Sequence, residues 1–393
     1  MAGDVPLHIA CVTPYVPYSG IDHAGGSYLM RSMEGLMARG WNVTVIAPAT
    51  RTNRATASRC PVDVILIPQP RGGILRRLLG VLRRGTGAPS PVSEETRAVL
   101  LKADVIGLHW HESYLWAPTI RRVAPTTPLV ATVHDIATVA AHHARRNAQT
   151  WHSWIAEHVA YAALHHHEAV ALSACDQIYV FKRSDIEELN RRGCHVPTAV
   201  TPPVIELPEK SPDPDPGSRQ FVFSAALWRE VNHQSALWLL DEVWPLVLEK
   251  QPDVRLVIAG AAPRPELEAL AGGGVSVPGF SESVVDGYRD CLAALAPVTA
   301  GAGLKFKVAQ AVAMGYPIVG TTIAFDGFGD LVPGAWVGHD TAADFADAIS
   351  RILADPHAAI EEASSHRADL LAVTDFDAHL DARDRTYRQL LGS

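Results

Sequence analysis

The chain has 393 residues, 48% hydrophobic and 19% charged, a balance that belongs to a folded globular protein and excludes a disordered tail. Its 42 acidic and 34 basic residues give a formal charge of -8 with no sustained basic field, so nucleic acid is not expected as a partner. At this length two domains of similar size are expected, each with its own core.

The opening MAGDVPLHIACV has no basic region followed by a long apolar run, and no apolar stretch reaches membrane-spanning length. A cytoplasmic chain without a transmembrane segment is the expectation. Cys11, Cys60, Cys175, Cys194 and Cys291 form no C-x-x-C pair, which argues against a zinc ribbon or a disulfide framework.

In chain order, LHIACVTPYV reads as a strand ending in a Gly/Pro loop, followed by a helix over Tyr28 to Arg39 and a strand at NVTVIAP. Apolar runs at Val62 to Ile67, Asp104 to His109, Pro128 to His134 and Gln177 to Phe181 alternate with helical stretches, which predicts a parallel sheet with crossover helices. The proline-rich, charged TPPVIELPEKSPDPDPG suits neither a helix nor a central strand and is read as a linker over residues 201–217. Beyond it the alternation restarts with FVFSAAL, a helix over Asn232 to Glu249, RLVIAG, a strand near Val275, ALAPVT, a helix over Lys305 to Met314, and PIVGTT. The expected domains are therefore residues 1–200 and 218–374. A last helix, 375–393, is free to pack beside the second domain or to cross back to the first.

The segment APVTAGAGLKFKVAQAVAMGYPIVGTT ends a strand, passes through glycines and opens a helix with lysines in its first turn. Exposed amides and the positive end of a helix dipole favour an anion there, and Lys305 and Lys307 add charge suited to a diphosphate. A tight strand-helix turn with solvated lysines is the plainer reading of the same pattern. The loop PYVPYSGIDHAGGSY places Gly25 and Gly26 just before a helix at the carboxyl end of the first strand, where open α/β sheets bind ligands. Tyr15, Tyr18, Asp22 and His23 are candidates for the acceptor side, with a plain surface loop as the alternative.

TVHDIAT sets His134 just beyond an apolar strand, where functional groups collect, with a buried, satisfied histidine as the competing reading. GLHWHESYLW offers His109, His111 and Glu112 at another strand end, His109 and His111 as acceptor-side candidates, with packing as the alternative. The consecutive His165, His166 and His167 would splay by about 100° each on a helix, which defeats joint coordination, so no metal is expected. RGGILRRLLGVLRRG at 71–85 has the apolar face and basic flanks of either a packed surface helix or an interfacial one that touches a membrane.

Taken together, the Gly25-Gly26 turn, TVHD, DEVWPLVLEKQPDVRLVIAG and GAGLKFKVAQAVAMGYPIVGTT resemble the retaining glycosyltransferases of family 4, over nearly the whole chain. The resemblance implies a GT-B fold, in which two Rossmann-like α/β domains face each other across a cleft. It also implies a nucleotide-diphosphate sugar as co-substrate, no resident cofactor or metal, and a small-molecule or lipid-linked acceptor. Residue by residue, Gly25 and Gly26 match the glycine turn near the donor phosphates, and His134 matches a histidine that contacts the transferred sugar. Arg229 and Lys307 are the expected diphosphate cations, with Lys305 in support. The family's two glutamates are replaced by Ala300 and Gln310, leaving Thr299, the loop Gly301, Ala302, Gly303 and Leu304, and Asp326 to orient the sugar. An epimerase or hydrolase of the same fold, or a non-catalytic nucleotide-sugar-binding protein, would use the same pocket and stands as the alternative.

Overall fold

A computed structural model describes residues 6–21, 24–68, 92–146, 151–205, 211–279, 284–301, 303–332, 334 and 336–392. The chain forms two compact units, Met1–Val204 with Phe376–Ser393, and Ile205–Asp375. The basic stretch at 71–85 lies outside the described residues, as do Asp22, His23 and Ala302.

In the first unit seven parallel strands form one sheet: β1 (His8–Val12), β2 (Asn42–Pro48), β3 (Asp63–Ile67), β4 (Val105–His109), β5 (Leu129–Val133), β6 (Gln177–Val180) and β7 (Thr198–Val200). Their order is β3-β2-β1-β4-β5-β6-β7, so the winding reverses between β1 and β4. Such a switch point leaves a crevice at the carboxyl ends of the strands. β4 and β5 are buried at every position, as apolar strands covered on both faces must be.

Helix α1 (Ala24–Ala38) begins four residues before the expected Tyr28, so Gly25 and Gly26 lie in its first turn and not in a loop ahead of it. A Cβ on Gly25 would stand 2.6 Å from Cζ2 of Trp110, so the helix enters the sheet edge only where its side chains vanish. Helices α2 (Ala137–Arg146) and α3 (Trp151–Leu172) pack against one another and carry the histidine-rich segments. Buried Glu168 of α3 accepts from the amides of Ala137 at 2.7 Å and Thr138 at 3.0 Å and from the Tyr114 hydroxyl, capping the start of α2 with a carboxylate.

The second unit repeats the plan with β8 (Gln220–Ser224), β9 (Arg255–Ala259), β10 (Val275–Gly279), β11 (Ala293–Ala296) and β12 (Ile318–Gly320) in the order β10-β9-β8-β11-β12. The single helix expected over Asn232 to Glu249 is three segments: α4 (Glu230–Trp238), a π turn (Leu239–Val243) and α5 (Trp244–Lys250). Pro245, in the first turn of α5, has no N–H to continue the ladder, and the wider turn absorbs that loss. Helix α6 (Phe306–Ala313) follows β11.

The last helix, α7 (Phe376–Leu391), belongs to the first unit. Arg39 reaches Asp381 at 2.8 Å, and the Trp41 indole donates to Asp384 at 2.6 Å. Arg383 is 1% exposed, donates to the Tyr28 hydroxyl at 2.7 Å and lies 4.1 Å from the Tyr179 ring. Thr201, at the start of the expected linker, is fully buried and shares hydrogen bonds with Tyr28 at 2.9 Å and His379 at 2.8 Å.

Candidate functional site

In the first unit the candidate residues gather where β4, β5 and β6 end. His134, directly after β5, is 8% exposed and stacks on Trp110 with ring centroids 4.0 Å apart and planes 5° from parallel. Phe181 lies 5.2 Å from the same imidazole and Tyr28 meets it edge-on at 5.6 Å. A Cβ on Gly25 would come within 3.3 Å of His134 Nδ1, so the start of α1 touches this imidazole as well as Trp110.

His109 is 5% exposed, and its Nδ1 has no hydrogen-bond partner among the described residues. Burial, then the Arg383 charge, pushes its pKa down to about 3, so the ring is neutral at ordinary pH. Tyr15 is 44% exposed and stands edge-on to Trp110 at 5.7 Å. Tyr18 instead carries the Arg59 guanidinium 3.9 Å above its ring. His111 is partly exposed and pairs with Glu112 at 3.2 Å.

In the second unit β8 and β11 are neighbours, so the loops leaving their carboxyl ends lie side by side. Arg229 is the exposed N-cap residue of α4, and Lys305 is the N-cap residue of α6. Gly301 at φ +117° and Gly303 at φ +75° adopt backbone conformations that residues with side chains rarely enter. Lys305 Nζ donates back to the Gly303 carbonyl at 2.5 Å and braces the loop. Lys307 Nζ donates to Asn232 Oδ1 at 2.6 Å and lies 5.0 Å from the Phe223 ring. Burial, then the charges of Arg229 and Lys305, lowers the Lys307 pKa to about 7. Three cations and the amides of a helix N-terminus thus meet at one sheet edge, an arrangement that an anion relieves.

Thr299 is exposed, Leu304 is buried, and Ala300 and Gln310 are partly buried. Asp326 sits in the turn after β12, the strand beside β11. Asn232 and Trp110 escaped the sequence reading. Nothing in WREVNHQ separates Asn232 from any polar residue of a first helical turn, and nothing in GLHWHES shows that Trp110 turns onto His134.

Two parallel α/β units, each with a winding switch, and a cationic glycine loop in the second, make the fold that of the GT-B class. A family model described as glycosyl transferases group 1 matches residues 218–355, and one described as a glycosyl transferase 4-like domain matches residues 24–177. The chain belongs to the group 1 glycosyltransferases.

Among solved structures, sucrose-phosphate synthase from Thermosynechococcus elongatus is similar at 18% identity and a TM-score of 0.68, over 98% of this chain and 99% of that one. Anabaena HepE in complex with UDP and glucose is 13% identical with a TM-score of 0.66, over 98% and 100%. An alpha,alpha-trehalose-phosphate synthase (UDP-forming) from Burkholderia vietnamiensis is 15% identical with a TM-score of 0.59, again over 98% and 100%. No curated protein matches the chain by sequence. Among the described residues no helix is long and apolar enough to cross a membrane.

Proposed function

We propose that the chain is a family 4-like transferase that moves a sugar from a nucleotide-diphosphate sugar to an acceptor hydroxyl with retention of anomeric configuration. The observation that carries this reading is the Lys307 ammonium, held by Asn232 beside Arg229 and the Gly301–Gly303 loop. As the bond from the sugar to the diphosphate lengthens, negative charge grows on the leaving oxygen and positive charge on the sugar ring. Arg229, Lys307 and the amides of the loop stabilise that leaving group in place, so no resident metal or cofactor is required. The acceptor hydroxyl attacks from the face the diphosphate leaves, and a phosphate oxygen takes its proton. In the first unit His134 is assigned to a hydroxyl of the transferred sugar and the Gly25–Gly26 turn to the donor phosphates, as the family resemblance implies.

The acceptor is a small molecule or a lipid-linked hydroxyl. A cytoplasmic setting agrees with the free cysteines of the described chain. HepE holds UDP and the Burkholderia enzyme forms it, so UDP-sugars head a donor panel that also includes GDP-, ADP- and dTDP-sugars. A donor at 100 times its Kd is expected to add about 2.7 kcal/mol of stability, read as a thermal shift. Lys307→Ala is expected to lower kcat/KM by about 10²–10³ while the fold is kept. Unchanged transfer by this variant would sink the assignment, and inversion at the anomeric carbon, seen by NMR of fresh product, would remove retention alone. Ala300, where the family carries a carboxylate, favours a second reading in which the donor is bound and not transferred. A thermal shift with no turnover across an acceptor panel would select it.

A further inference from the structure

We propose that Trp110 is a positioning residue that fixes the plane of the His134 imidazole, an inference that rests on the role assigned to His134 above. Three independent observations carry it. The Trp110 backbone stands at φ 64° and ψ 163°, a region that only glycine enters without strain, yet the side chain there is the bulkiest available. The peptide is pinned in this shape: its amide donates to the Thr132 carbonyl at 3.3 Å, and its own carbonyl accepts from Ser113 at 3.0 Å and Tyr114 at 3.1 Å. A glycine would meet the same hydrogen bonds without strain, so the ring is what the strained backbone serves.

The ring lies flat on His134, with centroids 4.0 Å apart and planes within 5°. The third observation is Gly25, where a Cβ would stand 2.6 Å from Trp110 Cζ2, so the first turn of α1 packs directly against the indole on that side. The χ2 torsion of a histidine is intrinsically broad. A fixed indole face on one side narrows it and sets the direction in which both ring nitrogens point. A group that aligns a reacting sugar depends on that direction, since small misplacements of catalytic geometry are costly in rate.

The test compares Trp110→Gly, Trp110→Phe and His134→Ala in the full chain, with folding checked by circular dichroism and melting temperature. Turnover is followed as nucleotide release from whichever sugar nucleotide of the panel shifts the wild-type melting temperature most. Trp110→Gly is expected to lower kcat about tenfold or more with the donor KM little changed, and Trp110→Phe, which restores a flat ring, to recover most of that loss. In the NMR spectrum the His134 imidazole protons, identified by their absence in His134→Ala, are expected upfield in the wild type and displaced downfield in Trp110→Gly. A folded Trp110→Gly variant with wild-type kcat, beside an impaired His134→Ala, would overturn this inference and leave the proposed function standing. A folded Trp110→Phe variant as impaired as Trp110→Gly would overturn it too. Full activity in His134→Ala would instead remove the role of His134 on which it rests.

Discussion

Lys307 Nζ donates to Asn232 Oδ1 at 2.6 Å, and the same amide is held from behind, its Nδ2 donating to the Ala226 carbonyl at 2.9 Å. The carbonyl end of Asn232 is therefore committed to the ammonium. It is the nearest polar compensation for a cation whose pKa burial and like charges have brought from 10.5 to about 7.

A pH profile follows from this relationship. Between about 7 and 10.5 the unfolded chain keeps the Lys307 proton and the folded chain does not, so this group makes stability rise with pH across that window. Activity runs the other way. The free enzyme loses the ammonium as pH rises through about 7, so kcat/KM for the donor is expected to fall on the alkaline side. Asn232→Asp sets a carboxylate against the ammonium and is expected to move this limb to higher pH, and Asn232→Ala to lower pH. An alkaline limb that stays in place in both variants counts against Lys307 as its source.

At Gly25 the prediction is steric. Gly25→Ala places a methyl 2.6 Å from the Trp110 ring, an overpacked contact expected to cost about 1–3 kcal/mol in urea unfolding. Gly329→Ala is the control, since a Cβ there meets nothing within 4 Å and the change is expected to stay within about 0.5 kcal/mol. Equal stability of the two variants would contradict the close approach of α1 to Trp110.

Arg383 joins α7 to α1 through the Tyr28 hydroxyl and fills the space over Tyr179. Arg383→Ala is expected to cost about 2–5 kcal/mol by leaving a cavity, and Arg383→Met, which keeps most of the volume, distinctly less. Denaturant unfolding separates them. A similar loss in both would assign the stabilisation to the guanidinium hydrogen bond instead of to packing.

Glu168 accepts two amides at the start of α2 as well as the Thr138 hydroxyl at 2.5 Å and the Tyr114 hydroxyl. Glu168→Gln turns half of the carboxylate into a donor facing donors, at an expected cost of about 1–3 kcal/mol. Hydrogen exchange should find the first turn of α2 opened in this variant, and unchanged protection there would refute the capping role.

Much of the scaffold was legible in local pattern. Apolar runs such as LVATV and VIGLH mark buried parallel strands because both faces of such a sheet are covered, and each was read within a residue or two of its bounds. The glycine loop before Lys305 and Lys307 was legible for a related reason: a strand, glycines and a helix in that order leave the chain few ways to turn. Some helix boundaries were read less well: α1 starts at Ala24, with Gly25 packed against Trp110, and the π turn at Leu239–Val243 interrupts a helix whose apolar pattern runs on past the missing donor of Pro245.

By itself, then, the sequence determined two α/β units, the cationic loop of the second and the strand-end position of His134, since each follows from residue type and spacing along the chain. Only the tertiary structure decided that α7 belongs to the first unit, that Trp110 lies flat on His134, and that Asn232 rather than a carboxylate holds Lys307. These are contacts between residues 24, 75 and several hundred positions apart, whose partners no local periodicity names.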